Sequence, residues 1–147
     1  GEYLEYSSRV QAVIDYYGPA SFTLKAKDAP EINESEQPDF LKGPSPVAML
    51  LGYEPANDPE KADTAAPLSY INPSTPPFFI AHGTQDIIVP IENSDALCTA
   101  LEKNKVPAEF WTIQGAGHAD SRFYQKEMAD RIMDFLERVL KREKGME

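Results

Sequence analysis

Two residues in this chain have the types and settings that acid–base chemistry needs. Asp86 lies in the polar turn His82-Gly83-Thr84-Gln85-Asp86, after the apolar run Phe78-Phe79-Ile80-Ala81. His118 closes Gly115-Ala116-Gly117-His118, after the apolar run at residues 109–113 and 32 residues beyond Asp86. A histidine acts as a general base when one ring nitrogen takes a proton and a carboxylate holds the other. The carboxylate fixes the tautomer and stabilises the imidazolium. Both groups must then lie at one end of a sheet, on loops able to turn back. Gly83, Gly115 and Gly117 give these loops that freedom. Either loop alone is a weak signal. Together, each after a strand and with one helix between, they point to an acid–base pair.

The elements that must position this pair can be read in order. Residues 10–17 are β-branched and aromatic and end at Gly18-Pro19, which predicts a strand. Val10, Ala12, Val13 and Ile14 suggest burial on both faces, and Asp15 near the end is expected to hydrogen-bond a turn. Residues 20–66 form a Pro-rich, lid-like insertion holding six of the thirteen prolines, acidic in its early part through Asp28, Glu31, Glu34, Glu36 and Asp39. Ser45-Pro46 and Asp58-Pro59 each open a short helix there, and Gly52 can end the first. Pro67 to Pro73 reads as an extended connector. Strands are predicted at 78–81 and 109–113, with a helix over 90–104 between them. Trp111 is expected between strand and helix. Asp120 is expected to cap the last helix, where Met128, Ile132, Phe135, Leu136, Val139 and Leu140 make one apolar stripe. Strands alternating with helices imply parallel pairing, hence an α/β fold with three parallel strands and flanking helices.

Composition narrows the partners. The chain has 147 residues, 41% hydrophobic and 26% charged, which suits one domain with a sizeable core. A net charge of −10 argues against nucleic acid or an anionic membrane, both of which need clustered positive charge. No apolar stretch approaches a membrane span, and no signal peptide is visible within the given residues. The compartment is left open. Cys98 is the only cysteine, so no internal disulfide can form, and its place between Leu97 and Leu101 predicts a small buried or half-buried side chain.

With these pieces in place the chain resembles the C-terminal half of a bacterial α/β-hydrolase of the esterase/lipase group, the acetyl-esterase and feruloyl-esterase-like carboxylesterases. The matching pieces are residues 9–19, Ser45-Pro46 with Leu50-Leu51-Gly52, residues 67–71, Pro76-Pro77 through His82-Gly83 with Asp86 and Val89-Pro90, and Gly115 to His118. The resemblance implies that the three strands correspond to the sixth, seventh and eighth of that fold. It implies that residues 1–147 are the C-terminal portion of one domain, with Asp86 as triad acid and His118 as triad base. Carboxylic ester hydrolysis on a small-molecule ester follows, with no cofactor or metal required. The family's nucleophile motif, Gly-x-Ser-x-Gly, does not occur here, and its oxyanion loop is also absent. The chain is therefore expected to be inactive without an N-terminal half, and to pair with that half, or with itself, through the strand at residues 10–17. Ile88 and Val89 are candidates for lining an acyl pocket.

Two other readings remain at this level. A truncated hydrolase module could act in binding or assembly without catalysis. A metal-dependent hydrolase could use His82, Asp86, His118 and Asp120, although no His-x-x-x-His or Cys pair supports it.

Overall fold

The structure, a computed structural model, describes residues 3–24 and 43–143, the last two of these by backbone alone. The acidic early part of the insertion, including Asp28 to Asp39, lies outside the described residues.

Among the described residues three parallel strands form the sheet: β1 (Val13–Tyr16), β2 (Phe78–Gly83) and β3 (Ala108–Ile113), in the order β1-β2-β3. Val13 pairs with Phe78 and Tyr16 with Ala81; on the other side Phe78 pairs with Ala108 and Gly83 with Ile113. Among the described residues four helices accompany the sheet: α1 (Pro46–Leu51), α2 (Pro59–Ala65), α3 (Glu92–Lys103) and α4 (Lys126–Glu143). Short 3-10 turns run over Pro55–Asn57, Pro67–Tyr70 and Ser121–Tyr124.

The central strand explains the layering. Successive side chains of a strand point to opposite faces. Phe79 and Ala81 go to one side, where they meet Phe123, Met128 and Phe135, with Ile132, Leu136 and Val139 of α4 packed alongside. Ile80 goes to the other, against Leu97 and Leu101 of α3 and Val106, with Phe78 and Phe110 packed alongside. Two helices thus cover opposite faces of one sheet, each by its own apolar stripe. The stripe of α4 holds as far as Val139, whereas Leu140 is 40% exposed. Trp111 packs at the edge of the α4 core, with the Arg131 guanidinium 3.3 Å above its ring. Cys98 is half-buried, and burial first, then Asp95 and Asp15, pushes its thiol up to about 11.

Local capping at residues 45–61 follows the predicted logic. The Ser45 hydroxyl accepts the Ala48 N–H at 3.0 Å, and Gly52 ends α1 in the left-handed region at φ 78°. Asp58 accepts the Lys61 N–H at 3.1 Å and opens α2.

Three expectations are corrected. The first strand spans Val13–Tyr16 rather than 10–17. Val13 donates to the Pro77 carbonyl at 2.9 Å, but Pro76 and Pro77 have no N–H to continue the ladder outward, and Val10 is exposed. Nor is β1 buried on both faces: it lies at the sheet edge among the described residues, with Ile14 exposed. The stretch from Pro67 is not extended: it coils into a 3-10 turn, in which Ser69 donates to Ala66 and Leu68 donates across to Ala20.

Candidate active site

All three strands deliver their loops to one end of the sheet, the carboxyl end, where open α/β sheets place their chemistry. After Gly83 the chain turns, with Asp86 N–H donating to the Gly83 carbonyl at 3.3 Å. The Asp86 side chain is fully buried. Its Oδ1 accepts the backbone N–H groups of Ile88 and Val89, both at 2.9 Å. Its Oδ2 faces His118 Nδ1 at 2.7 Å, and the His118 side chain is 26% exposed. The structure therefore brings together the two residues singled out by the sequence. No partner engages His118 Nε2 among the described residues.

His82 completes the holding of the acid. Its Nε2 lies 2.9 Å from the Val89 carbonyl and 3.4 Å from Asp86 Oδ2, and its Nδ1 lies 2.7 Å from Ser94 Oγ. A carbonyl only accepts, so Nε2 carries the hydrogen, and the Ser94 hydroxyl meets the other ring nitrogen. Burial works against charge on Asp86. Hydrogen bonds from His82, the Val89 N–H, His118 and the Ile88 N–H outweigh it and hold the carboxyl below its ordinary range. Asp86 is thus an anion fixed on both oxygens.

The two loops are stitched to each other. Thr84 N–H donates to the Ile113 carbonyl at 3.1 Å, Gln85 N–H to the Ala116 carbonyl at 2.9 Å, and Gly115 N–H to Thr84 Oγ1 at 2.9 Å. Gly83 is needed for this approach: a Cβ there would lie 2.3 Å from the Ala116 carbonyl oxygen. Gly115 turns at φ 69°. Beyond His118, Arg122 straps the loop shut, donating to Asp120 through Nε at 2.8 Å and Nη2 at 2.9 Å, and to the Gln114 carbonyl at 2.7 Å. These bonds to Arg122 hold the Asp120 carboxyl well below the carboxylate range. Asp120 does cap, but it caps the Ser121–Tyr124 turn through the Arg122 N–H, not α4.

Three contributors escape a reading of the sequence alone. Ser94 sits inside a helix pattern where nothing marks it. Arg122 looks like any surface cation. Tyr17 closes β1, and its ring centroid lies 4.5 Å from that of His118; its position at the carboxyl end of a strand was the available signal. Ile88 and Val89 enter the site through their backbone N–H groups, and the Ile88 side chain is partly open to solvent. Asp15 does what was expected, accepting the Gly18 N–H at 3.0 Å. Among the described residues no group of three or more His, Cys, Asp and Glu is arranged to hold a metal ion.

A family model described as BD-FAE matches residues 1–101, two thirds of the chain and inclusive of Asp86. The chain belongs to the BD-FAE family. Relatives of this BD-FAE chain are named as esterases. It is 29% identical over 140 residues to esterase LipQ of Mycobacterium tuberculosis, covering 92% of this chain and 31% of LipQ. It is 26% identical over 116 residues to the probable carboxylic ester hydrolase LipM of the same organism, covering 78% of this chain and 25% of LipM. The fold superposes on a truncated carbohydrate esterase from gut microbiota with a TM-score of 0.74 at 24% identity, covering 94% of this chain and 45% of that one. It superposes on the propionate-bound thermophilic esterase Est2 of Thermogutta terrifontis with a TM-score of 0.57 at 26% identity, covering 90% and 45%. The BD-FAE chain thus has part of an α/β-hydrolase fold of the esterase group, and it spans less than a third of LipQ and less than half of these two structures.

Proposed function

We propose that this chain supplies the acid and base of a Ser-His-Asp carboxylesterase. The observation that carries the reading is the 2.7 Å contact of His118 Nδ1 with a buried, fully anchored Asp86, in a chain of an esterase family. In the reaction His118 Nε2 takes the proton of a serine hydroxyl as its oxygen attacks the ester carbonyl. The imidazolium, stabilised by Asp86, returns that proton to the leaving alcohol. Water then attacks the acyl-enzyme by the same route and releases the acid. The serine and the oxyanion hole come from residues other than these, since no Gly-x-Ser-x-Gly occurs in the chain and Ser45, its nearest look-alike, caps α1. Ile88 and Val89 would flank the acyl group next to the acid loop.

The complement docks on the open side of β1. The strand's outer edge is unpaired among the described residues. Beside it runs an apolar groove of about 470 Å³ lined by Val13, Ile14, Phe22, Leu50, Ile71 and Leu97. More than half of each esterase structure compared has no counterpart in this chain, and a strand and helix from such a portion would fill both.

Hydrolysis of p-nitrophenyl acetate tests this. The chain alone should give background rates. Mixed or co-expressed with the N-terminal portion of a BD-FAE hydrolase it should gain turnover, and His118→Ala should remove it. Hydrolysis by the chain alone, with a fluorophosphonate label on one of its serines, would overturn the division of labour. Turnover indifferent to His118→Ala would overturn the relay and favour a binding or assembly role.

A further inference from the structure

The residue behind His118 is built at a conformational cost. Tyr17 donates its N–H to the Ala81 carbonyl at 2.8 Å as the last rung of the ladder, and then adopts φ 44°. A bulky side chain in the left-handed region is uncommon and is kept where the surroundings over-determine it. Here they do so from three sides. Gly18 N–H is clamped by Asp15 Oδ1, and a Cβ on Gly18 would lie 2.4 Å from that oxygen, so the turn cannot shift by a residue. The Tyr17 hydroxyl is 2.8 Å from the Tyr124 hydroxyl. Phe123 meets the ring edge-on at 4.7 Å. The ring is left as a fixed plate against the imidazole, tilted by 57° at 4.5 Å.

We propose that Tyr17 is a positioning residue for His118, backing the imidazole so that the ring stays on Asp86. The inference rests on the reading of His118 as base. Among the described residues the charged or titratable groups around His118 are Asp86 from the loop after β2, Tyr17 directly after β1, and, through Tyr17, Tyr124 from the turn before α4. His82 acts through Asp86, and Asp120 on the same loop is spent on Arg122. Burial, then the Tyr124 hydrogen bond, pushes the Tyr17 hydroxyl up to about 12, so the plate itself stays neutral. Asp86 alone orients a ring through one bond, about which it can swing; a second contact on the ring face removes that freedom.

The test is proton NMR of the 147-residue chain, whose only histidines are His82 and His118. In the unmodified chain the His118 carbon-bound protons should show a ring-current shift and contacts to the Tyr17 ring. Their absence would overturn the proposal without any variant. Tyr17→Phe should keep the His118 Nδ1–H signal sharp, whereas Tyr17→Leu should broaden it beyond detection. A Tyr17→Leu chain that melts normally and keeps the parent's sharp signal would overturn the idea. Because no substrate is involved, failure of the esterase reading would leave this signal intact, and the reverse also holds.

Discussion

At Asp86, two oxygens have two different duties. Oδ1 is taken by the N–H groups of Ile88 and Val89, so the carboxylate cannot rotate; Oδ2 is left to meet His118. Asp86→Asn should keep the first duty and reverse the second. An amide NH₂ facing Nδ1 forces the wrong tautomer, and turnover of the reconstituted enzyme should fall on the order of 10⁴-fold with the fold intact by circular dichroism. The depressed titration of Asp86 also sets a sign. Its folded value lies below its unfolded value near 3.9, so its contribution to stability is complete above that value and lost as pH falls through the folded one. Melting curves should therefore show the parent's advantage over Asp86→Asn at pH 6 and its loss below about pH 4. This pair was legible in the sequence because a glycine-rich turn after an apolar run is a local pattern. The roles of Ser94 and Arg122 were not, since each depends on a contact made by folding.

Among the elements, β2 was the easiest to read, because a strand buried on both faces is one unbroken apolar run bounded by Pro76-Pro77 and Gly83. β1 was read too long, because apolar residues say where a strand can pair and only the neighbour says where it does. The 3-10 turn at Pro67–Tyr70 was missed because its anchor, the Ala20 carbonyl, is distant in sequence. Two substitutions probe this level. Gly83→Ala puts a methyl group into the Ala116 carbonyl; the His118 loop must move away, and the His118 Nδ1–H resonance should disappear even where the protein still folds. Leu101→Ala removes a fully buried anchor of α3 and should cost about 2–5 kcal/mol by urea titration, leaving that resonance in place because Leu101 packs on the face away from α4. A result in which Leu101→Ala disturbs the site more than Gly83→Ala would contradict the loop-to-loop account.

For the whole molecule, the edge of β1, unpaired among the described residues, is expected to set behaviour in solution. Val10, Ile14 and Leu50 are exposed around a parallel edge that is unpaired among the described residues, the kind of surface that recruits another strand. The chain by itself should associate at micromolar concentration in sedimentation. The net charge of −10 opposes contact between copies, so added salt should strengthen association, and Ile14→Lys should weaken it. A monodisperse monomer at low and high salt would refute this.

The parallel register of β2 and β3 has a last consequence, for which lengths of this chain can change. Gly83 stands opposite Ile113, so both loops leave the sheet from the same rung. Deleting one residue within β3 would turn its side chains to the opposite faces and pull the following loop back by about 3.3 Å, more than the length of the bond between His118 and Asp86. Extra residues between α3 and β3, at Asn104 to Pro107, would emerge at the far end of the sheet and leave that rung alone. Length polymorphism should therefore be tolerated at one end of this sheet and lethal to the relay at the other.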